Sequence, residues 1–129
     1  MAFDVDILHQ RTLVLSTWRG VATEAIFLKY IDQIWTDAKM RTYNELIDLR
    51  AIEDVKISSD AIQGLAEYSR TLDNPDDRAR SAVVAPTALI YGLSRMFATL
   101  RALDPNDRRE FSVFDDFDEA INWIESLKR

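Results

Sequence analysis

The residues in this chain that could do chemistry are few. Ser58 and Ser59 stand side by side ahead of an apolar helical pattern, with Asp48-Leu49-Arg50 at the end of the strand pattern before them. A serine at a helix start can cap it or accept a phosphate, which the free N–H groups and the positive helix pole would tolerate. The pattern opening at Thr87 has no carboxylate in its first turn, whereas Asp60, and then Asp115, Asp116, Asp118 and Glu119, crowd the neighbouring helix starts. That leaves Thr87 at the one central pole able to receive a small anion or acidic headgroup. Arg50, Thr87, Tyr91 and Arg95 are accordingly the candidate ligand-binding residues, beyond the carboxyl ends of parallel strands.

Other chemistries find no support. His9 is the single histidine, in a turn, and there is no cysteine, so thiolate metal sites, disulfides and cysteine nucleophiles are excluded. Asp73, Asp76 and Asp77 are interrupted by Pro75 and lack the glycine and glutamate of a calcium loop. No nucleophile elbow, phosphate-binding glycine loop, dinucleotide fingerprint or paired-histidine zinc motif occurs. No metal and no cofactor is expected, and a non-catalytic protein is the reading. Arg78, Arg80, Arg95, Arg101, Arg108 and Arg109 are scattered among carboxylates and read as surface charge.

Net charge of -6 and a pI near 4.7 argue against a phosphate backbone as partner, so no nucleic acid is expected. Met1 to Asp6 shows neither the basic nor the apolar region of a signal peptide, and no apolar run is long enough to span a bilayer. A cytoplasmic protein without membrane insertion is expected, and 129 residues fit one domain, 1–129.

These residues must be positioned by β and α elements whose periods are legible. Phe3, Val5 and Ile7 alternate with Asp4 and Asp6, a strand with one wet face at a sheet edge. His9-Gln10-Arg11 turns the chain into a strand from Thr12 to Trp18, apolar on both faces, antiparallel to the first and ended by Gly20. Thr23 caps a helix to about Met40, and Asn44 to Leu49 is the third strand. Ser58, Ser59 or Asp60 caps the second helix, with Ile62, Leu65, Ala66 and Leu72 inward, and Asp73 to Asp77 is a turn.

Ser81 to Ala85 is a central strand, followed by a helix from Thr87 to Leu103 that Asp104 to Asp107 stops. Glu110 to Phe114 is the last strand. A closing helix opens with Asp116 and Glu119 in capping-box spacing and buries Phe117, Ala120, Ile121, Ile124 and Leu127. The result is an α/β fold: a five-stranded mixed sheet, an antiparallel hairpin and then parallel strands, with four helices and right-handed crossovers.

The helix from Thr87 is unusually apolar. At 100° per residue, Leu89, Gly92, Leu93, Met96, Leu100 and Leu103 are expected to face the sheet, with Ile90 and Phe97 to one side and Tyr91 beyond. An arc that wide is more than one sheet contact needs. It predicts a homodimer contact through Ile90, Tyr91 and Phe97, or the wall of an apolar pocket.

The element order, together with Ala82-Val83-Val84-Ala85, Tyr91-Gly92-Leu93-Ser94-Arg95-Met96-Phe97 and the stretch from Phe114 through Ala120 and Trp123 to Ile124, resembles the SpoIIAA-like branch of the STAS domains over nearly the whole chain. The resemblance implies a small α/β domain related to anti-sigma-factor antagonists and, more remotely, to CRAL-TRIO lipid-binding domains. Antagonists of that branch carry an Asp-Ser-Ser-Gly motif with a phosphorylated serine. Ser58 and Ser59 stand at the corresponding helix start, without the glycine. The resemblance therefore implies a regulatory module that binds a protein partner or itself; the alternative is a carrier or sensor of a small apolar or acidic, lipid-like ligand held near the helix from Thr87.

Overall fold

The structure, a computed structural model, describes residues 2–72, 79–103 and 109–126. The turn at Asp73–Asp77, the stop at Asp104–Asp107, Arg78, Arg108 and Leu127 lie outside these residues. Strand β1 (Phe3–Leu8) pairs antiparallel with β2 (Leu13–Thr23) through a 3-10 turn at His9–Arg11. From there β3 (Asn44–Lys56), β4 (Arg80–Val84) and β5 (Glu110–Phe114) add in parallel, giving a five-stranded sheet in the order β1-β2-β3-β4-β5. The expected mixed sheet is present.

Four α-helices connect and close it: α1 (Glu24–Tyr30), α2 (Ser59–Arg70), α3 (Ala88–Ala102) and α4 (Phe117–Glu125). Thr23, Ser58, Thr87 and Asp116 each accept a backbone N–H from three residues on, so every one of these helices starts at a side-chain cap. None is long and apolar enough to cross a membrane.

The strands divide their residues between two cores by the period of two. Val14 and Trp18 on β2, Ile47 and Leu49 on β3, and Val113 on β5 belong to the larger core. Leu13, Leu46, Ala82 and Val84 point the other way and pack on Ala120 and Ile124 of α4. A strand that feeds a core from each face reads as continuously apolar, which is why Ala82, Val83 and Val84 of β4 show no polar alternation.

Three boundaries differ from expectation. Helix α1 stops at Tyr30 and gives way to a wider π-type turn, Ile31–Trp35, which swings Ile31, Ile34 and Trp35 together into the core. Strand β2 does not end at Gly20, and β3 does not end at Leu49. Both run on as a two-stranded ribbon, Arg19–Thr23 against Ala51–Lys56, with register shifts after Thr17 and Gly20. Gly20 adopts φ 75°, which lets the chain bulge instead of stopping.

Helix α3 is rotated from its expected setting by roughly 100°. Ile90 is buried, Phe97 packs against Trp35 and Phe111, and Arg101 is 1 % exposed, whereas Leu89 and Leu103 are 62 % and 69 % exposed. An apolarity count on a helical wheel puts Leu above Arg. The Arg101 guanidinium wins an inward place because it gives a hydrogen bond of 2.8 Å to Ser69 on α2 and lies 4.6 Å from the centre of the Phe111 ring. Arg109 is likewise buried, so neither of these two arginines is surface charge.

Candidate functional site

The space between the sheet and the layer of α1, α2 and α3 is incompletely filled. A cavity of about 80 Å³ remains there. Its floor is Ile47, Leu49, Val83 and Val113, its roof is Ile62 and Leu65 of α2 with Ile90, Leu93, Ser94, Phe97 and Ala98 of α3, and Trp35 and Phe111 close it on one side. Val55 and Ile57 line it as well. Phe111 pairs with Ser81 and Val113 with Val83, so the floor descends from the Phe111 level to Leu49, a run of roughly 13 Å along the strands.

The volume could hold several waters, at about 10–15 Å³ each, but a buried water needs two to four polar partners. The lining offers almost none. Among the described residues, apart from the two serines, Ser94 and Ser112, its polar side-chain groups are the Tyr30 hydroxyl and the Trp35 indole N–H, and both of these are turned away into a buried cluster. Ser112 lies between Phe111 and Val113, both in the larger core, so the alternation turns its side chain toward the other face of the sheet.

That buried cluster centres on Glu45, which is 1 % exposed. Its Oε2 accepts from the Tyr30 hydroxyl and from Trp35 Nε1 at 2.8 Å, and its Oε1 accepts from Ser81 Oγ at 2.7 Å. Arg109 stands 3.9 Å away and gives Nε–H to Ser81 Oγ at 2.6 Å, with its remaining groups on the carbonyls of Arg41 and Tyr43. On the other flank Trp18 Nε1 donates to Ser16 Oγ at 3.0 Å, and Ser16 contacts the Tyr30 hydroxyl. A buried charge is tolerable only when so surrounded. Burial first, then the Glu45 charge and the hydrogen bond to it, hold the Tyr30 phenol well above its usual value near 10.

The sequence pattern contained a signal for this cluster. Glu45 shares a strand face with Ile47 and Leu49, and Ser81 with Val83, so period-two alternation puts both polar residues on a core face. Their mutual pairing across β3 and β4 carried no local mark.

The residues singled out from sequence fall elsewhere. Arg50 lies on the α4 face of β3, clamped by Asp48 through two hydrogen bonds of 3.0 and 2.9 Å and set 4.5 Å from the centre of the Phe117 ring; the bond to Asp48 raises its already high pKa. Thr87 is the cap of α3, its Oγ1 taking the Ile90 N–H at 3.2 Å. Tyr91 is half-buried and Arg95 exposed. None of these four lines the cavity, and the structure does not bring them together. Ser58 is the cap of α2, accepting from Ala61 at 3.1 Å, and Ser59 is exposed beside it. Ile90 is buried and Phe97 partly buried, and both line the cavity wall. His9 bonds Tyr43 through its Nδ1 at 2.9 Å.

No protein-family model matches the chain, and no curated protein matches it. Among solved structures the chain is similar to an uncharacterized protein from Shewanella loihica PV-4, of the DUF3478 family, with a SpoIIAA-like fold. The similarity covers 95 % of this chain and 93 % of that one, with a TM-score of 0.57 at 15 % identity. The fold of this chain is SpoIIAA-like.

Proposed function

We propose that this SpoIIAA-like domain is a non-catalytic binding module that carries or senses a small apolar molecule held between α3 and the sheet. The observation that carries the reading is the cavity itself: a space lined by aliphatic and aromatic side chains from all three helices of one layer and three strands. Small ligands are taken up in apolar spaces with a few polar groups, and close-packed interiors leave few voids larger than a water molecule. The non-catalytic reading is supported by the position of Glu45, which is sealed behind Tyr30 and Trp35 with both carboxyl oxygens occupied, out of reach of a substrate in the cavity.

The test is binding of toluene to the full chain, read as a concentration-dependent rise in melting temperature, beside Ala98→Phe, which would fill the cavity from α3. Saturable binding that the variant loses while keeping its circular dichroism supports the reading. Absence of binding, or binding indifferent to Ala98→Phe, sinks it.

A second reading, a regulatory module that acts by docking to a protein partner or to itself, is favoured by Leu89 and Leu103, which stand exposed on the outer side of α3. Light scattering of the pure protein, with Leu89→Lys as comparison, addresses it. A monomer in both forms and no captured partner would remove it.

A further inference from the structure

Resting on the cavity as a ligand site, we infer that its occupant is uncharged: an aliphatic or aromatic body with at most one neutral hydrogen-bonding group, which the Ser94 hydroxyl meets. Among the described residues the wall contains no lysine, arginine or histidine. A carboxylate or sulfonate drawn inside would lose its hydration with no cation to replace it.

The charges nearest the wall make the case stronger. Behind Tyr30 and Trp35 stands the Glu45 carboxyl group, one hydrogen bond away from atoms that line the cavity. A second negative group in front of the same two residues would face it through an apolar layer, where repulsion is poorly screened. Both polar tips that could have turned to greet an anion, the phenol and the indole N–H, are already given to Glu45. Arg109 supports Glu45 from the far side through Ser81. Arg101 lies against the Phe111 ring and bonds Ser69, and is not part of the lining. The two described arginines nearest the cavity, Arg101 and Arg109, therefore sit behind its wall, and neither guanidinium is part of the lining.

Ser94 is the exception in the wall. It lies on the inward side of α3 between Ile90 and Ala98, half-buried, one turn from each. A hydroxyl there can donate to a ketone or ester and accept from an alcohol or amide, and it is too weak alone to hold an ion. The acidic form of the lipid-like ligand considered from sequence is thereby disfavoured, and the apolar form retained.

The experiment compares two matched pairs on the full chain, each read as a shift in melting temperature with ligand concentration. Toluene is set against benzoate, a ring of similar size with one negative charge. Separately, 1-butanol is set against butanoate. The expected result is at least a tenfold preference for the neutral member of each pair, and a several-fold loss of 1-butanol affinity in Ser94→Ala. Ala98→Phe identifies which signal belongs to the cavity. If the anionic members bind with equal affinity and Ala98→Phe abolishes both, the neutrality inference is overturned and the cavity reading stands. Failure of both neutral members to bind at all overturns the cavity reading, and the inference with it.

Discussion

Trp35 Nε1 lies 2.8 Å from Oε2 of Glu45, and that contact joins the buried cluster to the cavity wall. One face of the indole system belongs to the cavity wall, where it meets Phe97 and Phe111, and its polar edge belongs to the buried cluster. The Tyr30 hydroxyl and the indole N–H are both given to Glu45, so neither is offered to the cavity.

Glu45→Gln removes the charge that Arg109, Tyr30, Trp35 and Ser81 surround, and one end of the amide must present an N–H to groups that are themselves donors. A loss of about 3 kcal/mol in unfolding free energy is expected, the cost of leaving a buried ion without its partner. Urea unfolding at neutral pH measures it. A change under about 1 kcal/mol would mean the cluster contributes little.

The raised pKa of Tyr30 makes stability depend on pH on the alkaline side. In the unfolded chain the phenol releases its proton near pH 10, while the folded protein keeps it, so above that point the unfolded state binds fewer protons and stability falls as pH rises. Below about pH 10 the contribution is fully present. Tyr30→Phe should flatten this decline in denaturant midpoints taken upward from pH 9; an unchanged slope would assign the decline to other groups.

Val83→Ile adds one methylene to the cavity floor on the central strand β4 while keeping a β-branched side chain. Filling the gap should stabilise the chain by about 0.5–1 kcal/mol and weaken uptake of toluene. The opposite signs are the test. Lower stability together with weaker binding would indicate overpacking of a gap that is not there.

Ser58 and Ser59 are separated by their roles at the start of α2. Ser58→Ala takes away the oxygen that accepts from Ala61 and should cost about 1 kcal/mol. Ser59→Ala, at an exposed first helical position, should stay within about 0.5 kcal/mol. Thermal or urea unfolding of the two variants decides the assignment, and equal losses would refute it.

Local pattern carried most of the architecture. The alternation of Phe3, Val5 and Ile7, the apolar stretch of Ala82, Val83 and Val84 in β4, and the caps at Thr23, Thr87 and Asp116 are properties of a few neighbouring residues, and they specified strands, helix starts and the mixed sheet. The ribbon beyond Gly20 was not legible, because glycine signals a chain break and a bulge equally well until the partner strand is known. The setting of α3 was misjudged for a related reason: the wheel counts apolar residues, whereas the burial of Arg101 depends on Ser69 and Phe111, which are distant in sequence.

By itself the sequence determined the SpoIIAA-like order of elements, because periodicity, capping and residue type are local quantities. Only the tertiary structure decided where the chemistry sits. It gathered Tyr30, Trp35, Glu45, Ser81 and Arg109 from separate elements into one cluster and left an apolar space beside it, since both cluster and space are made by the fit of surfaces that are far apart along the chain.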